Sequence, residues 1–389
     1  MAFINESHIE EADVNLFVKG LGYRHIDAWE KQLVGRKQLK DVVLIDRLKK
    51  QLIKLNPTLP VDCIEIAVEE LSKSRAKLTP VVANKEVYKL IKGGVPVSYK
   101  NKQGREENDY VKVLDFEEPS NNDFLVVTQL SIEYQRTENI TRRPDLLLYV
   151  NGLPLVMIEL KNATEKVKIG FDKNLKDYKR DIPQLFWYNL FVGISNGIET
   201  RVGSFNASWE HFFSWVKLED TAVATDQQTR KEIEAESEKS GQHLTLQLFC
   251  EGLCRKDKLL DYFENFVLYH NNKVKIIAKN HQFLGVNSAI ESFENRAGKK
   301  GKLGVFWHTQ GSGKSYSMIF FTRKVERKVQ GNWSFLIITD RKDLDDQIYR
   351  NFLETEAIHE LDHKKKSHYR PNSRAQLQEY LQSNRSHVF

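Results

Sequence analysis

The chain has 389 residues, of which 40% are hydrophobic, and its formal net charge is +6. This length is sufficient for two globular domains, each with a core of its own. No apolar run approaches the roughly 18 residues that a membrane-spanning helix requires, and the first residues lack the basic and apolar segments of a signal peptide. Three cysteines are too few for a disulfide framework. We therefore expect a cytoplasmic protein without membrane contact.

Positive charge is distributed unevenly along the chain. Residues 1–270 carry a net charge of −3, whereas residues 271–389 carry +9. On charge alone, the second part is therefore suited to bind phosphate groups. In the first part, seven lysines and arginines concentrate in residues 161–180, against three acidic residues. This run fits either a nucleic-acid contact or a solvated helix face, and both interpretations stay open.

Hydrophobic periodicity divides the chain into three regions. Residues 6–75 show the three- and four-residue spacing of amphipathic helices, and residues 81–160 change to short β-rich runs separated by polar turns. This switch predicts an α/β or α+β domain with a central sheet over residues 1–217. A polar stretch and an amphipathic helix pair predict a linker with connecting helices over residues 218–274. A second α/β unit is predicted over residues 275–389.

The segment RRPDLLLYVNGLPLVMIELKN, residues 142–162, predicts a β-hairpin. Its centre is Asn151-Gly152, and Asn-Gly between two aliphatic runs is a strong signal for a hairpin turn. If the loop has three residues and begins at Asn151, Val150 pairs with Pro154. The turn thereby sets the register of both strands.

This register brings three charged side chains together. Counting back from the turn, Asp145 lies directly opposite Glu159, with Cβ atoms roughly 5 Å apart, where two carboxylates repel each other. The two-residue period of a strand places Lys161 on the same face as Glu159. Mg²⁺ accepts one or two protein carboxylates and would compensate the repulsion. The pattern predicts either a metal-dependent phosphodiesterase site, in which Lys161 orients water or stabilises charge, or an ordinary edge hairpin with exposed charges.

A second motif, KLGVFWHTQGSGKSYSMIFFTRKV over residues 302–325, has the order strand, glycine-rich loop, helix. This order is the context that supports a phosphate-binding loop. Gly311 and Gly313 let main-chain N–H groups surround a triphosphate at the helix N-terminus. Lys314 can reach the β and γ phosphates, and Ser315 can bind Mg²⁺. The residues predicted to bind ATP here are Thr309, Gln310, Gly311, Ser312, Gly313, Lys314 and Ser315.

The hairpin resembles the catalytic motif of the PD-(D/E)xK nucleases, with a PD pair, thirteen residues and then ELK, and its fuller text is similar to that motif in Type I restriction subunits. ESHIEEADVNLFVKGLGY resembles the opening helix that supplies an extra acidic residue in this family, here Glu10 or Glu11. QLFWY resembles the family's QxxxY element, whose Gln184 and Tyr188 we expect on one helix face. The resemblance implies Mg²⁺ ligands Asp145, Glu159 and Glu11, and catalytic residues Asp145, Glu159, Lys161, Gln184 and Tyr188.

The second motif also resembles Type I restriction subunits, including His308 where other phosphate-binding loops have glycine or alanine. DRKDLDDQ within residues 333–352 resembles a segment of helicase superfamily 2 motors, and Gln282 stands where these motors recognise adenine. The resemblance implies a RecA-like P-loop domain. Residues 386–389 resemble the start of the next motor strand, and no DExH-type motif follows. We therefore expect an incomplete motor domain and an inactive ATPase in the 389-residue chain.

Together these patterns predict an α/β protein in which a PD-(D/E)xK domain precedes an incomplete RecA-like motor domain. The resemblance implies Mg²⁺-dependent cleavage of duplex DNA, coupled in the intact protein to ATP-driven translocation. It also implies methyltransferase (modification) and specificity subunits as partners. One alternative is a Type III enzyme or another nuclease–helicase fusion, although the nuclease follows the motor in Type III enzymes. Another is a non-catalytic DNA-binding or docking fragment.

Overall fold

The computed structural model describes residues 6–29, 34–101, 103–134, 141–219, 226–240, 244–359, 369–383 and 386–389. The chain forms two compact units. The first comprises Met1–Leu218 with Ala222–Glu264, and the second comprises Glu219–Thr221 with Asn265–Phe389. None of the helices in the described ranges is long and apolar enough to cross a bilayer.

The first unit begins with helices, as the periodicity of residues 6–75 predicts. They are α1 Glu6–Asn15, α2 Ile45–Leu55, α3 Val61–Ser72 and α4 Pro80–Gly93. The last of these corrects the prediction that residues 81–160 are β-rich from their start. Pro80 occupies the first turn of α4, where its missing N–H costs nothing. Val87 and Ile91, one turn apart, are both buried, so the helical period outweighs the β-propensity of valine.

A mixed sheet forms the centre of the first unit. The strands in this part of the chain are β1 Arg24–Asp27, β2 Val95–Lys100, β3 Glu106–Val111, β4 Phe124–Thr128, β5 Ile132–Glu133, β6 Thr141–Arg142, β7 Leu146–Val150, β8 Leu153–Leu160, β9 Phe191–Ser195 and β10 Thr200–Gly203. Among the described strands, the central sheet has the order β1-β4-β7-β8-β9-β10, parallel at β1–β4 and β8–β9 and antiparallel elsewhere. Every residue of β4, β7, β8 and β9 is buried, which explains their continuous apolar sequences.

The β7–β8 hairpin has the predicted turn but a different loop length. Val150 pairs with Leu153, so the loop has two residues, and the predicted pairing of Val150 with Pro154 is wrong. Asn151 and Gly152 have φ angles of 51° and 81°, and two successive left-handed residues match the twist of the flanking strands. The extra residue is instead taken up as a β-bulge between Leu148 and Tyr149. Beyond the bulge the strands regain the predicted register.

Gly152 packs tightly against α2, and we expect Gly152→Ala to destabilise the protein by about 2–4 kcal/mol. A Cβ at this position would lie 2.6 Å from Leu44 O and 2.8 Å from Leu48 N, in addition to the strain of a positive φ. Gly104→Ala is the matched control, because Gly104 has a φ of +77° but nothing within 4 Å of the added Cβ. Urea unfolding of both variants separates the steric contribution from the strain. Equal losses would contradict the close approach to α2.

The predicted linker over residues 218–274 is not a separate region. Helix α5, Lys176–Asp181, precedes this region. The helices within it are α6 Asp226–Ser240, α7 Leu244–Phe249 and α8 Lys256–Asn265, with a π-helical turn at Cys250–Cys254. Residues 222–264 belong to the first unit, and residues 265–274 belong to the second. The reason is burial, since Phe249, Leu253 and Tyr262 are 0% exposed. Cys250 and Cys254 are also fully buried.

The second unit holds the phosphate-binding loop. Its elements are β11 Val267–His270, β12 Val274–Ile277, α9 Asn280–Glu294, α10 Lys314–Lys328, β13 Phe335–Leu336, α11 Lys342–Glu354, α12 Arg374–Gln382 and β14 His387–Val388. β13 and β14 are parallel. The strand predicted just before the loop is not formed: none of the described strands pairs with residues 303–307, and Val305 is 92% exposed. A strand requires a hydrogen-bonded neighbour, which apolar sequence alone does not supply.

Candidate functional site

Asp145 and Glu159 face each other across the β7–β8 hairpin. Leu146 pairs with Ile158, and continuing this register by one residue sets Asp145 opposite Glu159, as predicted. Both side chains are buried, with exposed fractions of 7% and 1%. Asp145 is fixed from two sides: its Oδ2 accepts a hydrogen bond from Leu160 N at 2.7 Å, and its main-chain oxygen accepts one from Gln129 N at 3.0 Å. Two carboxylates are therefore held in a water-poor environment.

Lys161 supplies a positive charge to this pair. Its Nζ donates to Glu159 Oε1 at 2.8 Å and also contacts the carbonyl oxygen of Leu160. The lysine and glutamate side chains are only 9% and 2% exposed. The compensating cation that two facing carboxylates require is thus at least partly Lys161 itself. An ordinary hairpin with exposed charges does not describe this arrangement.

Tyr178 is a site residue that the sequence reasoning missed. It lies on α5 and donates its hydroxyl proton to Glu159 Oε2 at 3.0 Å. Burial, followed by the negative charges of Glu159 and Asp145, raises the pKa of Tyr178 well above its ordinary value. The hydroxyl therefore remains a donor at any physiological pH. The side chain of Asn174, four residues earlier, also bonds Tyr178; an Asn-x-x-x-Tyr spacing after the ELK strand was the signal available in the sequence.

Gln184 and Tyr188 do not share one helix face, which corrects the expectation for the QxxxY element. Residues Pro183–Trp187 form a 3-10 helix, in which side chains four apart diverge by about 120° because each turn has about three residues. Gln184 Nε2 donates to the carbonyls of Lys40 and Glu133, and Tyr188 Oη donates to Leu71 O. Both side chains are buried among main-chain acceptors, and their catalytic role stays a prediction.

The acidic pair of α1 is separated by the structure. Gln129 Nε2 donates to Glu10 Oε2 at 2.5 Å, and the main-chain N–H of Gln129 binds Asp145. Glu11 is exposed, so its assignment as a metal ligand is not supported by its position. One turn beyond Glu10, Asp13 is fully buried beside the Cys250 thiol, and burial raises the pKa of Asp13 to about 7. In α1, the side chains of Glu10 and Asp13 therefore contact other parts of the first unit, whereas the side chain of Glu11 is exposed to solvent.

The donor set fits a hard divalent cation. Asp145 and Glu159 provide carboxylate oxygens, and Mg²⁺ is commonly held by one or two carboxylates with water completing its octahedron. The Leu160 carbonyl oxygen and Glu159 Oε1 already share one cationic group, the Lys161 ammonium. In the described ranges no cluster of three or more His, Cys, Asp or Glu side chains could hold a metal. A metal here would therefore rely on two carboxylates and on water.

The phosphate-binding loop has the conformation that its glycines predict. Gly311 and Gly313 have φ angles of 79° and 86°, and α10 begins at Lys314. Ser315 follows in the first turn, and Ser312 N donates to Thr309 O at 3.3 Å. The remaining predicted residue, Gln310, is exposed in the loop. Lys314 Nζ donates to His308 O at 3.0 Å, so the lysine lies folded back over the loop that it is expected to serve.

Helix α9 fixes this loop from one side. Gln282 Nε2 donates to Gly313 O at 2.9 Å, and Gln282 Oε1 accepts from Lys279 N at 2.9 Å. Both ends of the Gln282 amide therefore bond the main chain, and its contact with adenine stays a prediction. The unusual His308 has a structural reason. Its ring lies 4.8 Å from that of His281, and a Cβ on Gly285 would lie 3.2 Å from His308 Nε2, so the imidazole fills a groove that glycine leaves open.

Two family models match the chain. Residues 3–211 match the model described as Type I restriction enzyme R protein N terminus. Residues 281–389 match the model described as SWI2/SNF2 ATPase. The first match spans the sheet with Asp145, Glu159, Lys161 and Tyr178, and the second spans the phosphate-binding loop.

Several curated proteins are similar over most of the chain. The Type I restriction enzyme HindI endonuclease subunit of Haemophilus influenzae is 34% identical over 364 residues, covering 90% of this chain and 33% of that protein. The putative type I restriction enzyme MjaIXP endonuclease subunit of Methanocaldococcus jannaschii is 30% identical over 369 residues, covering 90% and 34%. A Staphylococcus aureus Type I restriction enzyme endonuclease subunit is 27% identical over 251 residues. The chain thus spans about a third of the length of the first two of these relatives.

Proposed function

Because the chain belongs to the family of Type I restriction enzyme R proteins, we propose that its first unit is a PD-(D/E)xK nuclease that hydrolyses duplex DNA with Mg²⁺. In the intact protein this cleavage is coupled to ATP-driven translocation by a RecA-like motor that includes the second unit. The observation that carries the proposal is the convergence of Asp145, Glu159 and Lys161 at one buried point of the hairpin. Burial of two carboxylates and an ammonium has a high desolvation cost, which a catalytic site accounts for and a surface hairpin does not.

Each side chain has a distinct task in the proposed reaction. Bound at Asp145 and Glu159, Mg²⁺ would lower the pKa of an attacking water and neutralise charge on the scissile phosphate. Tyr178, which stays protonated, holds the Glu159 carboxylate in one rotamer through its hydroxyl. Lys161 can leave Glu159 Oε1 for an anionic phosphate oxygen, because its ammonium has three donors on a flexible stem. The buried position of the carboxylates strengthens these interactions by excluding bulk water.

The second unit is proposed to bind ATP with Mg²⁺. Gly311 and Gly313 shape the loop, and its main-chain N–H groups lie at the N-terminus of α10, where anions are favoured. Lys314 would exchange its contact with His308 O for the β and γ phosphates, and Ser315 would bind the metal. The match to a SWI2/SNF2 ATPase model supports a helicase-like motor in this part of the chain.

The proposed partners follow from the family. We propose that the intact protein acts in the cytoplasm on duplex DNA together with modification (methyltransferase) and specificity subunits. The match to a Type I model, rather than a Type III one, disfavours the Type III alternative. A non-catalytic docking role is disfavoured by the intact and buried Asp145, Glu159 and Lys161.

Metal dependence is a necessary consequence of the nuclease proposal. We expect the intact subunit, with its partner subunits and ATP, to cleave circular duplex DNA in Mg²⁺ and to lose this activity in EDTA, because Asp145 and Glu159 would then hold no divalent cation. Agarose gels measure cleavage, and phosphate release measures ATP turnover. Lys314→Ala is the companion variant: it should remove ATP turnover and, with it, translocation-dependent cleavage. Cleavage that persists in EDTA would contradict the proposal.

A further inference from the structure

Two adjacent arginines precede the PD pair, and their side chains have different surroundings. Arg142 donates to Asp181 Oδ2 from Nε at 2.8 Å and from Nη2 at 2.6 Å, and it lies 3.8 Å from Asp177. Its charge is therefore neutralised by carboxylates. Arg143 is exposed, and its guanidinium carbon lies 4.1 Å from the centre of the Trp29 ring. Within the described ranges, Arg143 makes no ion pair with a carboxylate.

Trp29 holds the Arg143 side chain without using its hydrogen-bond donors. A guanidinium stacked on an indole ring is stabilised by the ring quadrupole, and its N–H groups remain directed outwards in the plane of the group. The main-chain N–H of Trp29 donates to Asp27 Oδ1 at 3.1 Å, which fixes the turn after β1. Trp29 is 50% exposed although it is a large apolar residue. The stacked pair therefore presents a pre-oriented cation at the surface.

The position of Arg143 relative to the carboxylate site is fixed by the main chain. Arg143 is two residues before Asp145, and its carbonyl oxygen lies 3.4 Å from the Tyr178 hydroxyl, which also binds Glu159. The Arg143 main chain therefore lies at the edge of the carboxylate site, and an anion bound by its guanidinium would lie within one side-chain length of that edge. Carboxylates repel the DNA backbone, so a cation beside them is needed to bring a phosphate close.

We propose that Arg143, held on Trp29, binds a backbone phosphate of duplex DNA next to the phosphodiester bond at the Asp145–Glu159–Lys161 site. The inference rests on the proposed nuclease function and adds a substrate-binding residue to it. The fork of the guanidinium suits two oxygens of one phosphate. Arg142, although adjacent, cannot serve in the same way, because two N–H groups of its guanidinium, on Nε and Nη2, already bond Asp181.

The salt dependence of DNA binding tests this assignment. Affinity of the 389-residue chain for a short blunt duplex is measured by fluorescence anisotropy in EDTA, at several salt concentrations. Each phosphate contact contributes about 0.9 to the slope of log affinity against log salt concentration. We expect Arg143→Ala to lower this slope by about one unit and Arg142→Ala to leave it unchanged. Trp29→Ala should keep the charge but weaken binding about threefold, because the guanidinium is no longer held in place.

The controls separate this inference from the nuclease proposal. An unchanged slope for Arg143→Ala, or an equal decrease for Arg142→Ala, would overturn the inference, and unaltered affinity in Trp29→Ala would overturn the role of the stacking. If Arg143→Ala lowers the slope while Glu159→Gln still cleaves DNA, the phosphate contact stands and the nuclease assignment fails. Circular dichroism melting confirms that each variant is folded.

Discussion

Glu159→Ala is expected to reduce duplex cleavage by the intact subunit about a thousandfold and to leave ATP hydrolysis unchanged. Loss of one of the two facing carboxylates removes the means of holding a divalent cation. Stabilisation of the transition state by such a cation is worth several kcal/mol. Each 1.4 kcal/mol corresponds to about a factor of ten in rate. ATP turnover should survive because Gly311, Gly313 and Lys314 belong to the other compact unit. Plasmid cleavage on gels and phosphate release measure the two activities side by side.

The control for this variant is Asp172→Ala. Asp172 is an exposed carboxylate, thirteen residues after Glu159, and it forms an ion pair with Lys168 at 3.6 Å. Its loss should change cleavage by less than about a factor of two, since exposed ion pairs contribute little. Cleavage by Glu159→Ala at the rate of the unmodified enzyme would show that the hairpin is not the nuclease site.

Lys161→Met is expected to destabilise the metal-free chain by about 3–5 kcal/mol, because it leaves the buried Glu159 carboxylate without its ammonium partner. The measurement is urea unfolding, followed at the transition of the first unit because two units need not unfold together. Lys168→Met is the matched control. Lys168 is 54% exposed and its pair with Asp172 is open to solvent, so its loss should cost less than about 1 kcal/mol.

A double variant separates charge from packing in this result. Lys161→Met combined with Glu159→Gln removes both charges, and it should recover most of the lost stability because no unpaired charge remains buried. Saturating Mg²⁺ should restore stability in Lys161→Met and not in the double variant, since a ligand stabilises only a fold that binds it. Equal losses in Lys161→Met and Lys168→Met would mean that the Lys161–Glu159 pair is not buried in solution.

Much of the site could be predicted from sequence because its determinants are local. Asn151-Gly152 specifies a two-residue turn, and strand alternation then sets which side chains share a face, so Asp145, Glu159 and Lys161 meet. The error in loop length did no harm because the bulge between Leu148 and Tyr149 compensated for it. The conformation of the glycine-rich loop was predictable too, since glycine is the residue that tolerates the φ angles of positions 311 and 313. The strand expected before this loop is not formed, because no described strand pairs with residues 303–307.

Other features depend on contacts between distant residues and could not be predicted in this way. The four-residue spacing of Gln184 and Tyr188 suggested that these two side chains share a helix face at the site. The path of the chain decides instead that Tyr178 bonds Glu159. It also decides that Gln184 bonds the carbonyls of Lys40 and Glu133. The burial of residues 244–264 likewise depends on which surface the helices pack against. Their amphipathic pattern shows that one face is buried, but it does not identify the partner surface.

The sequence by itself thus determined the chemistry of this protein: two carboxylates and a lysine on one hairpin face, and a glycine-rich loop before a helix. Both follow from backbone geometry over a few residues. Only the tertiary structure decided which neighbours complete each site. Glu10 rather than Glu11 accepts a hydrogen bond from Gln129, the residue after β4. Among the described residues, Arg142 has a carboxylate partner and Arg143 has an indole ring instead, because Asp181 and Trp29 approach from more than thirty residues away. Such choices depend on packing between elements, which no local pattern encodes.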